Sequence, residues 1–223
     1  MSALDLTDAV AAIRRGDLVV YPTETVYGLG ANALDSEAVE RVFEAKGRSR
    51  DKPISMALPE LSAAADYTRM TDRERRFCER FLPGPVTVLV ERRKRIPDVL
   101  VAGHDRVGLR VPDHEIAREL ARRTGPITAT SANRSGEPNA RRVDEIAPEL
   151  LERVTVVDGG ETAGGESTVV DISAGRIVRR GSLAEEIDAV ARRQAELEAT
   201  LEDLAAWKSE VSAAFDALTD RSG

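Results

Sequence analysis

Short apolar runs rich in β-branched residues alternate along this chain with longer segments whose apolar residues recur at helical spacing, and that alternation points to an α/β fold. Leu6 to Arg15 carries the helical spacing and stops at Gly16. Asp17 to Tyr21 then reads as a buried strand ended by Pro22. A helix is predicted from about Asp35, a capping residue, to Ala45, followed by a strand near Ile54–Leu58 and helices near Leu61–Ala65 and Asp72–Phe81. Pro83-Gly84-Pro85 breaks the chain before a strand at Val86–Val90. Further strands are predicted at Val107–Val111, Ile127–Thr130, Val154–Val157, Thr168–Ile172 and Arg176–Arg179, with helices near His114–Arg123 and Val143–Leu151. Strands crowd together late in the chain, so the sheet is expected to be mixed and twisted rather than a regular Rossmann arrangement.

With 223 residues, 42% of them hydrophobic, the chain can build one full domain and a modest extension. Residues 1–181 are assigned to the domain and 182–223 to a helical extension. Ser182 and Glu185 have capping-box spacing, and no Gly or Pro follows until Gly223, which predicts a continuous helix of roughly 38 residues. Its seam runs through Leu183, Ile187, Val190, Leu197, Leu201, Leu204, Val211, Phe215 and Leu218, with Gln194 and Lys208 as polar breaks. Steps of four and three alternate along it, the a/d spacing of a coiled coil. A homodimer through this helix is one reading; packing of the stripe on the chain's own domain is the other.

Charge and cysteine content exclude several classes. No apolar run approaches the ~20 residues of a membrane span and no secretory leader pattern opens the chain, so a cytoplasmic protein is expected. Cys78 is the sole cysteine and His104 and His114 the only histidines, too few for a disulfide or a thiolate or histidine metal cluster. Cys78, beside Phe77 and Phe81, reads as a core thiol. The net charge is −7, and residues 183–223 hold −6 of it, so the rest is near neutral and ill suited to unaided, tight nucleic-acid binding. A local cationic pocket remains compatible with that balance.

Five segments carry chemistry-bearing residues, each with a bland alternative. Pro22-Thr-Glu-Thr-Val-Tyr-Gly-Leu-Gly30 is a hydroxyl- and glycine-rich turn at a strand end, where α/β sheets bind ligands, or simply a tight turn. Arg41 to Lys52 nets +3, and Lys46-Gly-Arg48 can set two cations on one polyphosphate, or merely offset a helix dipole. Thr128-Ala-Thr-Ser-Ala-Asn-Arg-Ser-Gly136 gathers hydroxyls and an amide after a strand, fit for an anion or for ordinary turns. Glu166-Ser-Thr-Val-Val-Asp171 and Arg179-Arg180-Gly181 close the domain with hydroxyls and cations that also suit plain surface chemistry.

Taken in order, PTETVYGLG, KGR, PGPVTVLV, GLRVP, TSANRSG and STVVD resemble the YrdC-domain family of threonylcarbamoyl-AMP synthases over nearly all of residues 5–181. The resemblance implies a twisted mixed sheet with flanking helices holding ATP and L-threonine. It also implies roles by position: Lys46 and Arg48 as the catalytic cationic pair at the triphosphate, joined at ATP by Lys52, Asn133, Arg141 and Arg179. Thr25, Arg110, Ser131 and Ser167 become threonine-binding residues, Arg110 through the carboxylate. Ala57 stands where many relatives have histidine near threonine, Lys52 replaces a common asparagine, and Arg106 and Arg141 replace small hydroxyl residues near ATP. Longer members add a linker and a second domain, neither of which is expected in this chain.

The implied reaction joins threonine and bicarbonate as a carbamate whose oxygen attacks the α-phosphorus of ATP, releasing pyrophosphate. Mg2+ would come with the ATP phosphates and not on a dedicated protein site. The adenylate would serve a downstream tRNA-modifying transferase in threonylcarbamoyladenosine biosynthesis. The competing expectation is a paralogue of the same fold that binds a nucleotide or structured, double-stranded RNA without this activity. Neutralising Lys46 or Arg48 is expected to reduce turnover at least about tenfold and to leave the melting temperature nearly unchanged, since exposed ion pairs rarely contribute more than about 1 kcal/mol to folding whereas a charge aimed at the transition state matters far more.

Overall fold

The computed structural model describes residues 5–219, with side chains to Val211. Its elements run α1 (Thr7–Arg15), β1 (Val19–Tyr21), β2 (Gly28–Gly30), α2 (Ser36–Lys46), β3 (Ser55–Ala57), a 3-10 turn at Leu61–Asp66 and β4 (Thr68–Arg69). Next come α3 (Asp72–Phe81), β5 (Val86–Arg92), β6 (Arg106–Arg110), α4 (Glu115–Thr124) and β7 (Ile127–Ser131). A 3-10 turn at Val143–Glu145 precedes α5 (Pro148–Leu151), β8 (Thr155–Val156), β9 (Thr168–Asp171), β10 (Arg176–Arg179) and α6 (Ala184–Thr219). The chain divides into two units, Met1–Leu183 and Ala184–Gly223.

All strands of the first unit form one sheet in the order β10-β9-β5-β6-β3-β7-β2-β1-β8, with β4 added to β5. Pairs β1/β8, β3/β6 and β5/β9 are parallel and the other neighbours antiparallel, so the sheet is mixed, as expected. On α1, Ala9, Val10 and Ile13 fall on one helical face, and on α4 Ile116, Ala117, Leu120 and Ala121 do the same. These faces meet Val19, Tyr21, Ala57 and Ile127 in one core cluster. Each fully buried Leu or Ile there stabilises the fold by about 1.5–3 kcal/mol.

Three local expectations are corrected. Gly28–Gly30 is a strand, not part of a turn: its glycines face the Tyr21 ring on neighbouring β1, and a Cβ on either would sit 2.9 or 2.8 Å from that ring. The helix expected over Val143–Leu151 is split in two, because Pro148 holds Ala147 in extended backbone with ψ 129°. Ser182 forms no capping box. Its hydroxyl donates to the Glu166 carbonyl at 3.0 Å, its amide bonds the same oxygen, and the helix begins at Ala184. β4, a two-residue addition to β5, was not anticipated by any spacing. Phe215 and Leu218 of the expected seam lie beyond the described side chains.

Candidate active site

Residues two apart on a strand share a face. Thr87 and Leu89 on β5, Arg106, Gly108 and Arg110 on β6, and Ala129 and Ser131 on β7 therefore line one side of the sheet, where they border a cavity of about 690 Å³. Loops after β1 and β7 add Thr23, Thr25 and Asn133, and the end of α2 adds Lys46 and Arg48. Ser167 and Arg179 close the border. Small-ligand sites span about 300–1,000 Å³, so the space suits a nucleotide-sized guest.

Lys46 occupies an unusual place for a lysine. Val39, Val42 and Phe43 make the buried face of α2, and Lys46 continues it, only 2% exposed. Gly47, at φ 57°, then ends the helix: its amide bonds the Glu44 carbonyl and the Arg48 amide bonds that of Phe43, a Schellman closure. Nζ donates to the carbonyls of Ser131 and Asn133, the latter at 2.7 Å, and to Asn133 Oδ1 at 3.0 Å. Burial, and next the repulsion of Arg48, pull its pKa down to about 8, Glu137 opposing.

Cations gather on this side. Arg48 is half-buried and donates to the Lys52 carbonyl at 3.0 Å and that of Pro53 at 3.0 Å. Burial and then Arg179 lower its pKa. Arg179 is anchored through Nη2 to the Ser167 carbonyl and hydroxyl, each at 2.8 Å, and the Ser167 hydroxyl lies 3.3 Å from that of Thr87. Three like charges brought together at a cavity wall, two of them desolvated, make an environment that an anion relieves.

Arg110, at the end of β6, also lines the cavity and is 9% exposed. Its Nη2 donates to Glu24 Oε1 at 2.8 Å and to the Thr25 hydroxyl at 2.9 Å, and that hydroxyl is 3.0 Å from Thr23 Oγ1. The Ser131 hydroxyl donates to Asn133 Oδ1 at 2.6 Å, so the same amide oxygen serves Ser131 and Lys46. Residues from all six motifs thus share one cavity.

The remaining sequence candidates are placed less uniformly. Lys52 is exposed on the cavity rim. Arg141 does not line the cavity; it borders a neighbouring groove and pairs with Glu161 at 2.7 Å. Arg106 lines the cavity but is engaged by Glu74 at 2.8 Å and Ser173 at 2.7 Å. Ala57 is fully buried in the core cluster. Glu24 was overlooked by sequence reasoning: it is the buried counter-ion of Arg110, signalled only by the rule that a buried guanidinium needs a carboxylate. Cys78 is a buried thiol pushed up to about 12 by burial and by Glu74, poor chemistry for a nucleophile. Among the described residues no group of three or more His, Cys, Asp or Glu is placed to hold a metal ion, and no helix is long and apolar enough to cross a membrane.

Known proteins resemble the chain in sequence and fold. The chain is 42% identical to threonylcarbamoyl-AMP synthase of Pyrococcus abyssi over 169 residues, 74% of this chain and 50% of the relative. It is 39% identical to the Bacillus subtilis threonylcarbamoyl-AMP synthase, covering 83% of this chain and 56% of the relative. The chain therefore spans about half the length of these curated relatives. The crystal structure of P. abyssi Sua5 complexed with L-threonine superposes with a TM-score of 0.78 at 41% identity, covering 82% of this chain and 56% of that one. The family model Sua5_yciO_yrdC, described as telomere recombination, matches residues 11–181, and with that span and these identities the chain belongs to the Sua5/YciO/YrdC family.

Proposed function

We propose that the chain is a threonylcarbamoyl-AMP synthase using L-threonine, bicarbonate and ATP. One observation supports the reading: the cavity is lined by two cationic groupings that share no hydrogen-bond partner, Lys46, Arg48 and Arg179 in one and Arg110 with Thr25 in the other. The first suits a triphosphate and the second an amino-acid carboxylate. Ser131 and Asn133, which hold Lys46, serve both substrates as shared donors and acceptors, Ser167 orients threonine, and Lys52 on the rim reaches toward phosphate. Arg141, outside the cavity, is kept as a contact for an extended part of the nucleotide. We assign this chemistry to residues 1–181 and treat 182–223 as a helical extension.

In the reaction, the threonine amine attacks the bicarbonate carbon, water leaves, and a carbamate forms. A carbamate oxygen then attacks the α-phosphorus and the bond to pyrophosphate breaks. Every reactant brings negative charge to the site, so cations and oriented donors supply the catalysis and no covalent nucleophile is needed. Magnesium, carried in on the phosphates, supplies charge neutralisation when bound. The product adenylate would pass to a transferase acting on tRNA, in the compartment that holds tRNA and ATP.

Purified protein given ATP, L-threonine and labelled bicarbonate should form the labelled adenylate, with pyrophosphate release requiring both small substrates. Release that ignores threonine, or no release at all, sinks the synthase reading; salt-sensitive tRNA binding without turnover would support the RNA-binding paralogue instead.

ATP binding should also depend on pH with a defined sign. Lys46 is protonated below about 8 and neutral above it, so calorimetric affinity for ATP alone should fall about three- to tenfold between about pH 7 and about pH 9. The slope should vanish in Lys46→Met; a slope unchanged by that substitution would assign it to another group.

A further inference from the structure

Along α6, Leu197, Leu201, Leu204 and Trp207 are 49%, 65%, 54% and 63% exposed. The helix holds 36 residues without Gly or Pro. Its apolar seam alternates steps of three and four, which puts Leu201 at an a position and Leu197 and Leu204 at d positions of a heptad. An apolar stripe of that length is a surface for a partner.

We propose that α6 pairs with α6 of a second copy of this chain as a parallel, in-register, two-stranded coiled coil. Three features select that occupant and that direction. Gln194 holds an a position, where parallel pairing sets each residue against its own copy; an amide both donates and accepts, so Gln194 satisfies itself across the axis. Arg193 falls at g and Glu198 at e, five residues apart, the separation that meets between parallel strands. Each Arg193 would therefore reach the partner's Glu198, twice by symmetry. In the single chain Arg193 holds Glu196 at 3.0 Å and Glu198 accepts from Gln194 at 2.7 Å, exposed contacts that exchange at little cost.

Trp207 supplies the third feature. At g it borders the hole that receives the partner's residue 208, so the indole face can take the Lys208 stem and ammonium. That accounts both for a lysine in the seam and for a tryptophan left on the surface. An antiparallel pair layering Leu197 on the partner's Leu201 would instead set Glu198 against its own copy.

Sedimentation of the full chain tests the proposal. Wild type should be a dimer, Leu201→Asp a monomer with unchanged helicity and unchanged pyrophosphate release. Arg193→Glu should weaken association about fivefold, with Glu198→Arg restoring it in the double variant. Mild oxidation of Gln194→Cys should give a disulfide-linked dimer that wild type, whose Cys78 is buried, does not form. A wild-type monomer at every concentration, a dimer that survives Leu201→Asp, or no cross-link at position 194 would overturn it.

Discussion

Lys46→Met should lower threonine-dependent turnover about a hundredfold and also lower the melting temperature. The rate effect follows from position: a buried ammonium beside Arg48 stabilises charge that develops on the phosphates, and removing one such group typically costs about 10²–10³ in rate. The stability effect reverses the expectation drawn from the small worth of exposed ion pairs. Nζ donates to the Ser131 and Asn133 carbonyls and to Asn133 Oδ1, so methionine removes three hydrogen bonds, although Asn133 Oδ1 keeps the Ser131 hydroxyl as a donor. Against that loss stands relief from holding a cation in a dry place, and the balance is a net cost of about 1–3 kcal/mol. Arg48→Gln, at a half-buried site bonded only to loop carbonyls, should cost about tenfold in rate and little in melting temperature. Pyrophosphate release, thermal melting and calorimetric threonine binding separate the cases. Retained threonine binding shows that the cavity stands; turnover within about threefold of wild type would make Lys46 a strut for the loop after β7 and not an electrostatic catalyst.

What the chain declares about itself depends on how local the cause is. The helix read as Asp72–Phe81 is found there because Thr71 and Glu74 close a capping box at its start, a signal contained in four residues. The segment Arg176–Arg179 is likewise found as read, bounded by Gly175 and Gly181. Gly28–Gly30 gave no strand signal, since what makes it a strand is the Tyr21 ring across the ladder. At the cavity, the order of motifs named the residues but not their partners. Lys46 lay on the spacing of Val39, Val42 and Phe43 in plain view, yet its charge argued for solvent. Only the loop at Ser131–Asn133, 85 residues away, supplies the carbonyls that make burial affordable. Glu24 was hidden in the same way, inside a motif already noticed, because its partner Arg110 comes 86 residues later.

Arg110→Met should raise the threonine requirement about a hundredfold and the ATP requirement less than about threefold, because its guanidinium is held by Glu24 and Thr25 and shares no hydrogen-bond partner with Lys46 or Arg48. Read alone, that variant confuses two losses. Glu24 would be left as a buried carboxylate without its cation, and breaking a buried pair from one side costs about 3–5 kcal/mol. A protein so weakened can lose threonine simply by losing the cavity. Adding Glu24→Gln removes the stranded charge, since a neutral amide needs no counter-ion. The double variant should therefore recover most of the melting temperature and none of the threonine affinity, whereas Glu24→Gln by itself should disturb threonine binding through the freed Arg110 and leave ATP binding in place. The measurements are the two KM values for each variant and a melting curve for each. If the threonine KM recovers together with the melting temperature, Arg110 serves the fold through Glu24 and another donor holds the carboxylate. If instead the ATP KM climbs as steeply as that for threonine, the two groupings are not separate and the proposed division of the cavity fails.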